Sequence, residues 1–282
     1  MLAALPMYDW PEVADDVDQL WASIASELRT RGIGAPARLT RQDDLVAIWS
    51  DPAMIVGQVC SLNPVRDGLG ETHVVGTLVY EPPSSLPQPE PGSYYSVVVC
   101  RSDDQRGSDA TLAAFAGASV AANGTDSQSG YWSLAHHVRD SSVVFGEAIF
   151  TGAHRASIRA VVDGSADLAA IDVHSWRLAC EYDPDLVASL RIVTTTDPTP
   201  GVVCVLAWEL ARHHDAVDAA LAAAVERLSS ERPDVLDRLH VSGYRSRRLG
   251  EFEMVAERVE EASRRRWHTP AAPSVSSGRT DP

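Results

Sequence analysis

Thr151-Gly152-Ala153-His154-Arg155 opens a stretch that closes, beyond Gly164, on Ala166-Asp167-Leu168-Ala169-Ala170-Ile171-Asp172. The stretch reads as a helix start, a glycine stop, and a short apolar strand ending on a carboxylate. A buried strand directly after a helix is the rhythm of an α/β layer fold. Such sheets place ligands at strand carboxyl ends, which makes Asp172 a candidate ligand residue. The same residue also reads as the N-cap of a helix from Val173. His154 sits at a helix N-terminus, where the dipole disfavours imidazolium, so it is expected neutral with one N–H to donate. Thr151 adds a hydroxyl beside it.

Upstream, Asp126-Ser127-Gln128-Ser129-Gly130-Tyr131 reads as a hydroxyl-rich turn opening a helix. The N–H groups of Ser129, Gly130 and Tyr131 would be unpaired at that start. With the dipole behind them and the hydroxyls of Ser127 and Ser129 beside them, they suit an anion. Plain N-capping by Ser and Asp is the other reading.

Working outward, Leu2 to Met7 reads as a short strand. Val13, Val17, Leu20, Trp21, Ile24 and Leu28 recur at helical spacing after Pro11, and Gly32 stops that helix. Leu45 to Trp49 reads as a short helix, and Met54–Cys60 and His73–Tyr80 as strands. Pro82 to Pro91 is a loop, and Tyr94 to Cys100 a strongly β-prone run. Leu190 to Thr195 and Val202 to Leu206 are further strands. Trp208–Leu228, Val235–Leu239 and Phe252–Val259 are helical. Strand neighbours face opposite ways, so one of Tyr94 and Tyr95 faces any cleft; Tyr95 is the candidate, with Tyr8 after the first strand. The tail 269–282 is rich in Pro, Ser and Gly and is expected to be disordered.

Composition narrows the classes. The 282 residues carry a net charge of −15 and 45% hydrophobic residues. The charge argues against nucleic acid and anionic membrane surfaces, and at long range it favours a cation or zwitterion as ligand. No apolar run reaches the ~18 residues of a membrane span. The four cysteines, Cys60, Cys100, Cys180 and Cys204, fit no metal or redox spacing and read as buried thiols. His136-His137 and His213-His214 cannot share one ion, because helix neighbours point ~100° apart. No nucleotide motif is present, so neither metal nor cofactor is expected. No secretory leader precedes the first strand, which gives a cytoplasmic expectation; a periplasmic or cell-surface location is the alternative if a signal was removed.

The two opening segments, with Ala3-Ala4-Leu5-Pro6-Met7-Tyr8-Asp9, Tyr94-Tyr95-Ser96-Val97-Val98-Val99 and Asp197-Pro198-Thr199-Pro200-Gly201, resemble the phosphate/phosphite/phosphonate substrate-binding proteins of ABC transporters. The resemblance covers roughly residues 1–250. It implies a two-lobed, type II periplasmic-binding-protein-like α/β fold. Each lobe would be a mixed, mainly parallel sheet flanked by helices, with two crossover strands as hinge: Tyr94 to Cys100 on the way to lobe 2, and Leu190 to Thr195 on the return. Lobe 1 would hold 1–95 and 196–268, and lobe 2 would hold 96–195. An oxyanion or zwitterion would sit between Tyr8, Ser61 and Tyr95, the Ser127–Tyr131 turn, Thr151, His154 and Asp172. An ABC permease is the implied partner. Cys60-Ser61-Leu62-Asn63-Pro64 departs from the family's C-G-x-P-Y, so one ligand wall differs. Ser129, His154 and Asp172 can also be drawn as a hydrolase triad, but the enzymatic reading that the fold favours is a lyase or dehydratase for a small carboxylate or phosphorylated metabolite. The absence of G-x-S-x-G argues against a hydrolase. A cytoplasmic sensor read by a partner protein is a third reading.

Overall fold

A computed structural model of the chain describes residues 1–42, 44–66 and 72–269. The chain begins with β1 (Leu2–Ala4), α1 (Ala14–Thr30), α2 (Leu45–Trp49), β2 (Met54–Val59) and β3 (Thr72–Tyr80). The short β4 (Ser93–Tyr94) leads into β5 (Ser96–Arg101), β6 (Val120–Ala122), α3 (Ser133–His137), β7 (Phe145–Phe150), α4 (His154–Val162) and β8 (Leu168–Asp172). Then come α5 (Val173–Tyr182), α6 (Pro184–Ala188) and β9 (Leu190–Thr195). The short β10 (Thr199–Pro200) returns to β11 (Val203–Ala207), α7 (His214–Glu231), α8 (Pro233–Leu239), β12 (Val241–Ser246), α9 (Glu253–Ser263) and β13 (His268–Thr269). Of the tail expected at 269–282, residues 270–282 lie outside the described residues.

Two sheets result, each the spine of one lobe. The first has the order β1-β2-β11-β3-β12 and the second β13-β7-β6-β8-β5-β9. Between them runs a two-strand ribbon in which Thr199 faces Tyr94 and Pro200 faces Ser93. The return crossover is therefore β10. Leu190–Thr195 is instead an edge strand of the second sheet, paired with β5.

The second sheet has parallel pairs β13–β7, β7–β6 and β6–β8, with β5 antiparallel to β8 and β9. In the first sheet β1–β2 is parallel, whereas β11 runs antiparallel to β2 and β3, and β12 antiparallel to β3. The parallel character expected of both lobes is thus confined in the first to its opening pair. The reason is topological: β11 arrives from the ribbon and is inserted between β2 and β3 against their direction.

Period-two burial fixes the second lobe. Val98, Cys100, Leu168 and Ala170 enter one core, and Val97, Val99, Ala169 and Ile171 enter the core on the opposite face. The first lobe packs α1, α7 and α8 on its sheet through Leu20, Trp21, Ile24, Leu221 and Leu236. Gly32, at φ +74°, ends α1 in the left-handed region that favours glycine. Leu178 of α5 joins the first lobe's core although its helix starts at a second-sheet strand. At the C-terminus, Ala262 and buried Trp267 pack into the second lobe, and β13 pairs with β7. There the Trp267 indole finds its apolar contacts beside Tyr131 and Phe145. Cys100 and Cys204 are buried as expected, but Cys180 is exposed.

Trp21 is 1% exposed and its indole N–H donates to the Pro36 carbonyl at 3.2 Å. Trp21→Ala is expected to cost about 3–5 kcal/mol, read as a lower urea midpoint with an unchanged m-value.

Candidate functional site

The site is organised by the end of β8. Asp172 leaves the strand and caps α5: Oδ1 accepts from the N–H groups of His174 (2.9 Å) and Ser175 (3.0 Å), and Oδ2 accepts from the Ser175 hydroxyl (2.6 Å). From the first lobe, the Tyr8 phenol donates to Oδ1 at 3.2 Å. From α4, His154 Nε2 lies 3.3 Å from Oδ2 and 2.9 Å from Ser129 Oγ. Ser129, His154, Asp172 and Tyr8 thus form one polar chain running from lobe to lobe, and all four are buried or nearly so.

Electrostatics favour neutral groups around the single carboxylate. Burial holds His154 below its ordinary pKa, although Asp172 and the Ala170 carbonyl oppose the shift. Burial first, and Asp172 second, push the Tyr8 phenol well above its ordinary value. No arginine donates to any member of the chain among the described residues.

The arrangement is not a nucleophilic relay. Such a relay needs the serine at one ring nitrogen of the histidine and the carboxylate at the other. Here both meet His154 Nε2, and no carboxylate stands at Nδ1. The carboxylate side favours the proton on Nε2, which leaves no base to activate Ser129.

The turn before α3 supports this cluster. Gln128–Trp132 winds as a single π-type turn in which Trp132 N–H reaches the Ser127 carbonyl at 3.2 Å. Such turns are frequent at functional sites. The Ser127 hydroxyl accepts from Gly130 N–H at 2.9 Å, so its capping role is realised. A Cβ on Gly130 would stand 2.6 Å from Asn123 Oδ1, which is why glycine is required. Gln128 N–H donates across to Cys60 Sγ at 3.4 Å, and its buried Oε1 has no hydrogen-bond partner. Ser61 is fully buried and shares a 3.0 Å hydrogen bond with the Tyr94 hydroxyl.

Three expected residues point elsewhere. The Tyr95 hydroxyl donates to the Pro87 carbonyl at 2.8 Å, away from the Asp172 cluster, whereas the Tyr94 hydroxyl meets Ser61 in the first lobe. Tyr131 turns into the second lobe, where its hydroxyl meets His268 Nε2 at 2.9 Å and its ring meets Trp267. Thr151 Oγ1 is engaged by the Ser157 hydroxyl at 2.6 Å and braces the start of α4 without reaching the cluster.

Two residues escaped the sequence reading. Tyr80 ends β3 and His174 follows Asp172 by two; their rings pack on Tyr8 at 4.7 and 4.3 Å between centroids. Gln58 Nε2 donates to the Tyr80 hydroxyl at 2.9 Å. A signal for His174 lay in the cap itself, since a residue in the first turn after a ligand-facing cap shares its surroundings. Two cavities of about 10 Å³ flank this aromatic group, one lined by Leu5, Gln58 and Leu178, the other by Thr77, Tyr94 and Val202. Among the described residues, no group of three or more His, Cys, Asp or Glu side chains is placed to hold a metal ion.

Residues 79–248 match the family model described as the periplasmic substrate-binding protein of ABC phosphonate transporters. The chain belongs to that family. Its members bind substrates and are not enzymes, which removes the lyase or dehydratase reading. The periplasmic location of the family fits the second of the two expected locations, not the cytoplasmic one. No curated protein sequence matches the chain.

Solved structures agree on the fold. PhnD1 from Prochlorococcus marinus, in complex with methylphosphonate, aligns with a TM-score of 0.69 at 14% identity, covering 94% of this chain and 98% of that one. The binding-protein component of an ABC phosphonate transporter from Pseudomonas aeruginosa aligns at 0.69 and 13%, covering 93% and 86%. XAC2383 from Xanthomonas citri, bound to chloride, aligns at 0.65 and 15%, covering 93% and 96%.

The buried histidines give a pH dependence with a definite sign. Burial also holds His174 well below its ordinary value, with His240 and Arg177 adding to the effect. Both His154 and His174 therefore bind fewer protons folded than unfolded. The stability they contribute is complete above the unfolded value of about 6.5 and is lost as pH falls below it, by up to about 1.4 kcal/mol per pH unit each. His214 acts in the opposite sense: burial lowers its pKa, but Asp215 and the Val74 carbonyl outweigh that and raise it. Urea unfolding between pH 7.5 and 5 is expected to show falling stability, with a shallower slope in His174→Gln.

Proposed function

We propose that this substrate-binding protein clamps a small polar, oxyanion-bearing ligand of the phosphate or phosphonate kind between its lobes. The observation that carries the reading is the lobe-to-lobe chain Ser129–His154–Asp172–Tyr8. Ser129 and His154 present an O–H and an N–H to a ligand oxygen. Tyr8 closes from the other lobe, and Asp172 accepts a proton-bearing group. Gln128 and Ser61 line the approach, and the Ser127–Gly130 bond holds the turn in shape. Closure about the β4–β10 ribbon would follow from contacts that the ligand makes only in the shut state.

The donors are uncharged and the only fixed charge among these four residues is negative. Such a site suits a monoprotonated oxyanion, whose O–H can donate to Asp172, or a zwitterion whose ammonium can do so. The net charge of −15 favours the zwitterion at long range. Methylphosphonate, held by the Prochlorococcus protein, is the first compound to test. Family membership supports delivery to an ABC permease from outside the cytoplasmic membrane. No helix among the described residues is long and apolar enough to cross a membrane.

The test is a thermal-shift panel of phosphate, phosphite, methylphosphonate, 2-aminoethylphosphonate, sulfate, small carboxylates and amines. A ligand at ~100 times its Kd should add about 2.7 kcal/mol of stability. The shift is expected for a phosphorus oxyanion and to vanish in Ser129→Ala and in His154→Ala. A panel in which only carboxylates or amines shift the transition would overturn the phosphonate reading.

A further inference from the structure

Arg155 follows the ligand-facing His154 and joins the lobes by a second route. Its Nη1 and Nη2 donate to the two carboxylate oxygens of Glu12 at 3.1 and 2.8 Å. Its Nε and Nη2 donate to the two oxygens of Asp183 at 2.6 and 2.9 Å. The guanidinium lies 4.5 Å from the centroid of the Trp10 ring. A planar fork that serves two carboxylates and lies against an indole is a geometry lysine cannot reproduce.

The partners belong to different bodies. Asp183 ends α5, and α4 carries Arg155 itself; α4 packs on the second sheet. Glu12 lies ahead of α1, and Val13 beside it is part of the first lobe's core. Trp10 packs against the cores of both lobes. Asp183 is thus a same-lobe partner that aims the fork, and Glu12 is the cross-lobe partner that it grips. Tyr8 and Glu12 lie four residues apart on one segment, so Tyr8–Asp172 and Glu12–Arg155 tie the same first-lobe segment to the second lobe.

We propose that Arg155, Glu12 and Trp10 form a closure latch that sets ligand affinity without touching the ligand. Resting on the reading that the lobes close on a ligand, it names the residues that tune that closure. A ligand that binds only the shut form has an apparent affinity proportional to the fraction of protein that is shut before binding. The latch raises that fraction. Arg155 is a positioning residue, acting through the approach of Tyr8 to Asp172.

The experiment measures lobe separation with no ligand present, so it stands whether or not the oxyanion panel gives a hit. Spin labels are carried on non-natural residues at exposed Val46 of the first lobe and Val144 of the second, and their distance distribution is read by pulsed electron resonance. A dominant short distance is expected in the parent protein. Glu12→Gln and Arg155→Gln should move population to a longer distance, Arg155→Lys should give an intermediate distribution, and Asp183→Asn should leave the short distance dominant. Raising NaCl to 1 M, where the screening length is about 3 Å, should mimic Glu12→Gln. If methylphosphonate binds the parent, Glu12→Gln should weaken it about fivefold, the equivalent of ~1 kcal/mol. An unchanged distance distribution in Glu12→Gln overturns the latch. So does equal opening in Asp183→Asn, which would make the cluster a local brace of α4 and α5.

Discussion

The buried carboxylate of Asp172 is the constraint on which the rest of the cleft depends. An ionised carboxylate in an apolar interior is costly unless its lone pairs are filled. The fold fills them from three directions. The first turn of α5 supplies two N–H groups and the Ser175 hydroxyl, α4 brings up His154, and the first lobe supplies Tyr8. The first set is local to the helix and persists whatever the lobes do. The Tyr8 contact joins the two lobes. One side chain therefore serves both as a helix cap and as a contact between the lobes.

Positive charge is kept away from that carboxylate. Every basic side chain of Lys or Arg type in this sequence is an arginine. Those near the lobe boundary are committed elsewhere: Arg155 to Glu12 and Asp183, Arg177 to the carbonyls of Glu81 and Pro82, Arg247 to Glu251 and the Gly92 carbonyl. The consequence is a cleft of neutral donors around one acceptor, inside a rim of arginines held by carboxylates and backbone carbonyls.

Much of the fold could be read from the chain. The helical spacing of Val17, Leu20, Trp21, Ile24 and Leu28 gave α1, and the run Leu168–Asp172 gave β8 and the residue at its end. What escaped had weak local signals. Phe145–Phe150 buries Phe145 and Ala148, three apart, and shows no strand alternation, and Val241–Ser246 carries few apolar residues; both are strands because a neighbouring strand supplies the pairing. Tyr131 and Thr151 sit inside motif-bearing segments, but their directions are set by packing partners more than a hundred residues away or by a hydroxyl six residues on. Sequence spacing placed them near the cluster, whereas tertiary contact decided which way they face.

The same distinction explains the split between Ser129 and Tyr131. Ser133 and Ser96 both donate to the Ser129 carbonyl, at 2.5 and 2.8 Å, which pins the turn to β5. With that carbonyl fixed inward and Gly130 tight against Asn123, the π-type turn has no freedom to rotate. The Ser129 hydroxyl is then directed to His154, and the ring two residues on is carried to the opposite side, toward Trp267. A turn wound in this way cannot present both side chains to one ligand. The burial of Tyr131 in the second lobe is the structural counterpart of the alignment of Ser129 with the cleft.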